Sequence, residues 1–306
     1  MDLEQKAIDG LWDSLKVTGR GSTLDKESKV LKEIDPESTP TAFSKEQCLL
    51  ETESLRLELG ILQEKLYAQA RSSVLLVLQG LDTAGKDGTI RRVFDGINPQ
   101  GVTVCGFKAP TPLELSHDFL WRIHSKSPTA GMITIFNRSH YEDLVVPLAY
   151  ERLSQEVLEQ RVRSIEEFET NLENNGTRIL RVFLHISFQE QAERLLSRID
   201  VEKKHWKFSE ADLETRGHWP EFHGAYSAVI SRTSDHHRPW HVVPADHKWY
   251  RDWAVMSLVV KLLRGIAPEY PEVSLPDVEG LRRELLEAIE KSKNHGSGKH
   301  GNSHSK

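Results

Sequence analysis

The chain has 306 residues, enough for one large or two modest domains with a substantial core. Its 40 Lys and Arg against 46 Asp and Glu leave a net charge of −6, so no global basic field recruits nucleic acid or an anionic membrane. The two cysteines, Cys48 and Cys105, lie far apart and outside metal-ligand spacing, which argues against a disulfide framework and fits a reducing cytoplasm.

The N-terminus is acidic and polar, with no charged-then-apolar signal segment. Residues 1–43 lack sustained periodicity and carry turn signals at Asp35-Pro36 and Thr39-Pro40. They read as a surface arm with a short helix near Leu11 to Leu15. Leu55, Leu59, Leu62 and Leu66 then recur at helical steps, and Ser44 with Gln47 makes a capping box for that helix.

The apolar run Val74 to Leu78 predicts a fully buried strand. It leads into Gly80-Leu81-Asp82-Thr83-Ala84-Gly85-Lys86-Asp87-Gly88-Thr89 and then a helical segment, Ile90 to Phe94. Strand, glycine-rich loop with Lys, and helix is the layout of a phosphate-cradling P-loop, whose backbone N–H groups face an anion. Gly80, Gly85 and Lys86 satisfy G-x-x-x-x-G-K, but Asp87 stands where a Mg²⁺-binding hydroxyl belongs, and Asp82 adds an acid inside the loop.

Further strands are expected at Val102 to Phe107, Gly131 to Phe136, Ile179 to Ile186 and Pro239 to Pro244. Helices are expected at Leu113 to His124, Leu158 to Leu172 and Trp249 to Leu263. The alternation implies an α/β fold with a parallel sheet of about five strands and helices on both faces. Its catalytic domain would span about residues 44–268. Residues 194–238 interrupt the pattern with many cations and aromatics and read as a helical lid on the phosphate side. A helical extension over 269–293 and a disordered tail over 294–306 complete the expectation.

Parallel strands deliver their C-terminal ends to one edge, so the P-loop and the stretch from Asn137 should share a crevice. Asp82 would then position Mg²⁺ or the accepting phosphate. Lys86, Arg138 and the lid cations would surround phosphate oxygens. His140 could carry a phosphoryl group, but a hydrogen-bonding role beside the loop is the stronger reading. Glu142 and Asp143 could supply acid or simply start a helix.

Four separated stretches, GLDTAGKDGTI (80–90), FNRSHYED (136–143), KKHWKFSEADL (203–213) and PWHVVPADHKWY (239–250), resemble the motifs of family-2 polyphosphate kinases. The likeness runs from about Ile34 to Ile266. It implies a thymidylate-kinase-like P-loop fold with a helical lid and Mg²⁺-dependent (or Mn²⁺-dependent) phosphoryl transfer between inorganic polyphosphate and adenine or guanine nucleotides. It also implies homo-dimers or tetramers, while the charge balance predicts no nucleic-acid or membrane partner. By that resemblance Asp82, Lys86 and Arg138 are catalytic, with Asp82 the metal ligand. Gly85, Gly88, Thr89, Arg198, Lys203 and Lys207 join Lys86 and Arg138 on the phosphates. Asn137, Glu142, Trp206 and Phe208 would meet the nucleotide, and Asp246 and Lys248 belong to the closing motif. The version His140-Tyr141-Glu142-Asp143 is similar to the subgroup that accepts AMP or both AMP and ADP. An ATP-dependent nucleoside monophosphate kinase and a non-catalytic polyphosphate-binding module are the alternatives.

Overall fold

A computed structural model of the chain describes residues 2–19 and 21–296. A first helix, α1 (Asp2–Leu15), runs into a two-residue strand, β1 (Lys16–Val17). After a long stretch of turns come α2 (Lys45–Gln69), β2 (Ser73–Gly80), α3 (Lys86–Val93) and β3 (Val102–Gly106). Two single turns, α4 (Pro112–Leu115) and α5 (Trp121–His124), precede β4 (Ile133–Asn137), α6 (Glu142–Ala149), α7 (Gln155–Asn174) and β5 (Thr177–His185). Then follow α8 (Phe188–Asp200), α9 (Glu210–Gly217), α10 (Trp219–Thr233), β6 (Trp240–Pro244), α11 (Lys248–Ile266) and α12 (Val278–Gly296).

The six strands form one sheet in the order β1-β6-β5-β2-β4-β3, parallel throughout except for the β1–β6 pair. The central strand β2 is buried at all eight positions. A parallel strand so completely apolar must be covered on both faces. One helical group, α1, α2, α3 and α11, packs around α11, while α6, α7 and α10 form a second. The Ser44 side chain caps α2 by accepting from Gln47 N, as the capping pattern predicts.

Three expectations differ from what is seen. The sheet has a sixth strand because the N-terminal segment is not a surface arm. Ile8, Leu11 and Leu15 are buried, as are Leu24 and Leu31 beyond them, and β1 pairs with β6. Leu113 to His124 is not one helix. Thr111 and Glu114 close a capping box on α4, and Asp118 accepts from Leu120 N, so local side-chain bonds break the segment into two turns. Finally, α10 lies inside the range read as lid yet buries Phe222, Ala225, Tyr226 and Val229 in the core.

Met1–Tyr270 make one compact unit, and a second begins at Pro271 and carries α12. Residues 297–306, most of the expected tail, lie outside the described residues.

Candidate active site

Parallel register sets the strand ends level. Leu78 pairs with Asn137, Gly80 with Leu184, and His185 with Pro244, so the segments leaving β2, β4, β5 and β6 emerge along one edge. The loop after β2 turns through Thr83 (φ +64°) and Gly85 (φ +106°). At Gly85 a side chain has no room, because a Cβ would sit 2.0 Å from Nη1 of Arg251. Gly85 caps α3 without any side-chain hydrogen bond, which leaves the helix's first N–H groups without a side-chain acceptor.

Lys86 is buried and folds back on the loop, donating from Nζ to Gly80 O (2.6 Å) and Leu81 O (3.3 Å). Burial, aided by nearby Arg138, pulls its pKa from 10.5 to about 8 against the opposing pull of Asp82, Glu142 and Asp87. Arg138 follows β4 in the left-handed region at φ +63° and donates from Nη2 to Asp82 Oδ1 at 2.5 Å. Burial works against its charge, but Glu142 and Asp82 outweigh that and hold the guanidinium firmly protonated. Asn137 donates to Asp87 Oδ1 at 2.6 Å. The P-loop and the second motif are therefore joined by two acid contacts, Asp82 with Arg138 and Asp87 with Asn137.

Two arginines hold the loop from other elements, the buried Arg251 and the partly buried Arg194. Arg194, on α8, donates to Thr83 O, Ala84 O, Ala245 O and Asp246 O, and its Nε pairs with Glu190. Arg251 pairs with Asp252 at 2.6 Å and reaches Ala84 O, while the buried Thr89 hydroxyl faces Asp252 Oδ1 at 3.4 Å. Gln191 donates to Asp82 O, fixing the backbone that carries that carboxylate. Asp246 accepts from Ser187 N and so ties β6 to the start of α8. Lys248 has its pKa lowered by burial and by Arg194.

The turn bearing Arg138 is anchored from behind. His140 Nε2 lies 3.2 Å from Glu169 Oε1, the Tyr141 hydroxyl donates to the same oxygen at 2.9 Å, and Arg181 donates to Tyr141 (2.8 Å), to Thr233 O (3.0 Å) and to Glu169 Oε2 (3.4 Å). Burial disfavours an ionised Glu169, but Arg181 and the bonds from His140 and Tyr141 overcome it and hold its pKa at about 2. His140 is fully buried, which supports the hydrogen-bonding role over a phosphoryl carrier. Asp143 is engaged by Arg122 and Arg161.

Lid residues divide into two groups. Arg198 donates to Asp212 Oδ2 (2.6 Å) and Lys207 O (2.9 Å), and Asp212 has its pKa raised by burial and by the facing Asp82 carboxylate. Lys203 and Lys207 are exposed, Lys207 lies over the Trp206 ring, and Trp206 itself is 78% exposed, while Phe208 is half-buried. Among the described residues, none of these four makes a hydrogen bond or ion pair with the loop.

Residues 42–270 match polyphosphate kinase 2. The chain belongs to the polyphosphate kinase 2 family. Among similar proteins, an AMP/ADP-polyphosphate phosphotransferase of Meiothermus ruber is 47% identical over 243 residues, spanning 79% of this chain and 91% of that one. An ADP-polyphosphate phosphotransferase of Rhodopseudomonas palustris is 42% identical over 251 residues, 78% of this chain and 85% of that one. The crystal structure of a polyphosphate kinase 2 from Arthrobacter aurescens TC1 superimposes with a TM-score of 0.84 at 39% identity, covering 91% and 97% of the two chains. The P-loop kinase-like fold is therefore that of a polyphosphate kinase 2.

Sequence reasoning missed the supporting residues of this family site: Gln79, Glu169, Arg181, Gln191, Tyr226, Arg251 and Asp252. Arg251-Asp252 did leave a signal, an adjacent opposite-charge pair just before the apolar run that opens at Trp253 in α11.

Proposed function

We propose that the protein transfers phosphoryl groups reversibly between inorganic polyphosphate and AMP or ADP. The observation that carries this reading is the joined constellation of Lys86, Asp82 and Arg138, with Asp87 in place of the loop hydroxyl. In the transfer, the bond from the terminal phosphorus to the bridging oxygen of the chain breaks as a bond to an acceptor phosphate oxygen forms. That acceptor oxygen is already an anion at neutral pH, so no general base is needed. Positioning and charge stabilisation supply the acceleration.

Lys86, the N–H groups of Gly85 and Gly88, and the hydroxyl of Thr89 would cradle the donor's terminal phosphate, since the Thr89 N–H is taken by Gly85 O, and Arg138 would meet charge between donor and acceptor. Arg198, Lys203 and Lys207 would guide the remainder of the chain. Asn137 and Glu142 would contact the acceptor nucleotide, with Trp206 or Phe208 against its base once the lid closes. Among the described residues no group of three or more His, Cys, Asp or Glu forms a ready metal cage. Asp82 and Asp87 nevertheless present hard carboxylate oxygens at the loop, which suits Mg²⁺ (or Mn²⁺), an ion usually held by one or two carboxylates plus substrate phosphates and water. When bound there, it would neutralise phosphate charge.

The name borne by the Meiothermus ruber relative and the His140-Tyr141-Glu142-Asp143 sequence support AMP and ADP together as acceptors. A cytoplasmic setting and a homo-dimer or tetramer belong to the same reading, and light scattering of the purified chain tests the latter. Within the described residues no helix is long and apolar enough to cross a membrane.

The deciding experiment incubates the protein with Mg²⁺, polyphosphate and AMP or ADP, without ATP, and follows nucleotides by chromatography. ADP or ATP should accumulate. Turnover of AMP only when ATP is the donor would replace this reading with an ATP-dependent nucleoside monophosphate kinase. Retention of polyphosphate without turnover would leave a binding module. Asp82→Asn and Lys86→Ala should each lower turnover at least about 10²-fold.

A further inference from the structure

Glu142 opens α6 four residues after Arg138, and its carboxylate is held asymmetrically. The Tyr226 hydroxyl, arriving from α10, donates to Oε1 at 3.1 Å. The Gln79 carboxamide satisfies all its neighbours when its nitrogen donates to the same Oε1 at 2.9 Å. Its oxygen then accepts from Ser139 Oγ (2.9 Å) and Ser139 N (3.1 Å). The reverse orientation would set an amide oxygen against a carboxylate. Both donors therefore converge on one oxygen.

The surroundings are built for rigidity. Gln79 and Ser139 are fully buried, and Tyr226 nearly so. Gln79 is also the residue before Gly80, where β2 becomes the P-loop. Ser139 immediately follows Arg138, and its Oγ accepts from Tyr141 N, so its own proton is free for Gln79. A chain of bonds thus crosses from the P-loop strand, through the second motif, to α10. Burial and the neighbouring Glu142 raise the Tyr226 phenol well above its usual range, which keeps it a neutral O–H donor. Two buried donors on one carboxylate oxygen, with Ser139 behind one of them, are costly unless fully paired, and here each has its partner.

We infer that Gln79 and Tyr226 are positioning residues that fix Glu142 at a set distance from the P-loop, saturating Oε1 and presenting Oε2 to the acceptor nucleotide. This rests on the proposed contact between Glu142 and the acceptor. A carboxylate can only accept, so Oε2 would take a hydroxyl or amino proton of the nucleoside rather than a phosphate oxygen. Because Gln79 belongs to the donor loop's own strand, acceptor and donor are registered by one continuous set of bonds. That registration is what transfer between two bound anions requires.

The test is Tyr226→Phe in the full chain, which keeps the ring and its 4.8 Å contact with Phe183 while removing the hydroxyl. Acceptor KM should rise about tenfold, the scale of one hydrogen bond to a charged group. The KM for polyphosphate should stay within about twofold and kcat within about threefold. Gln79→Met, close in length, should shift acceptor KM in the same direction and provides a second reading if one variant folds poorly. In a Glu142→Gln background, Tyr226→Phe should add less than about twofold. An unchanged acceptor KM in both Tyr226→Phe and Gln79→Met, with Glu142→Gln still impaired, overturns the inference alone. A tenfold effect that persists in the Glu142→Gln background also overturns it, since the hydroxyl would then act through packing. An unimpaired Glu142→Gln overturns the acceptor assignment on which it rests.

Discussion

Replacing Glu169 by Gln should remove a large part of the protein's stability without substituting any substrate-facing side chain. Glu169 and Arg181 are both buried, at 1% and 3% exposure, so removing one charge strands the other. The fall of the Glu169 pKa from 4.5 to about 2 corresponds to about 3 kcal/mol, at about 1.4 kcal/mol per pH unit. Breaking a buried pair by removing one partner typically costs about 3–5 kcal/mol. The two figures agree, and set against a total of about 5–15 kcal/mol they are large. The assay is urea unfolding at pH 7, followed by tryptophan fluorescence, because Trp240 packs on Tyr141 and lies under Arg181. The sign of the pH dependence is fixed as well. A carboxyl whose folded pKa is depressed stabilises above its unfolded value and loses that contribution as pH falls through the folded one. The gap between wild type and Glu169→Gln should therefore be full above pH 4.5 and narrow toward pH 2. A loss below about 1 kcal/mol at pH 7, or a gap equally wide at pH 7 and pH 3, would refute the reasoning.

The depressed Lys86 makes a prediction about activity. The kcat/KM of the wild type should fall above about pH 8 as the free enzyme loses this charge, and Lys86→Arg should carry its residual activity to higher pH, as a pH–rate profile would show. In the unfolded chain the same lysine titrates at its ordinary 10.5, so stability should rise between about pH 8 and 10.5, measured by denaturant titration. Gly85→Ala forces a Cβ into Nη1 of Arg251 at 2.0 Å and an alanine to φ +106°. It should cost at least about 1–2 kcal/mol on melting and about 10²-fold in kcat/KM from the displaced loop. Trp206→Ala, at a 78% exposed position, should leave stability within about 0.5 kcal/mol yet raise acceptor KM at least about fivefold if the base stacks there. Steady-state kinetics beside a thermal melt separates the two effects.

Much of the fold was legible because its signals are local. The runs Val74 to Leu78 and Ile179 to Ile186 are apolar at nearly every position, which only a doubly covered strand needs, and Ser44 announces α2 by its cap. The N-terminal segment was illegible for the opposite reason. Ile8, Leu11 and Leu15 carry helical spacing, but Asp9, Gly10 and Asp13 dilute it, and what stabilises β1 is pairing with β6, more than two hundred residues away. The site shows the same division. Asp82, Lys86 and Arg138 lie in contiguous motifs, whereas the side chains that hold them come from α7, α8, α10 and α11 and meet only in three dimensions. Glu169 reads in sequence as one acid among many on an amphipathic helix. Nothing local distinguishes it from Glu166 or Glu167, which lie outside the buried set on α7.

Arg194 sets a limit on how this protein can move. Its guanidinium joins four carbonyls, two in the P-loop and two after β6, to the middle of the helix that leads into the lid. Swinging all of α8 would tear the phosphate loop out of shape at the moment its shape is needed. Any opening or closing that preserves the loop would have to pivot beyond Arg194, so that only a short flap carrying Lys203, Trp206, Lys207 and Asp212 could travel. A cover hinged there would leave the cradle's shape unchanged.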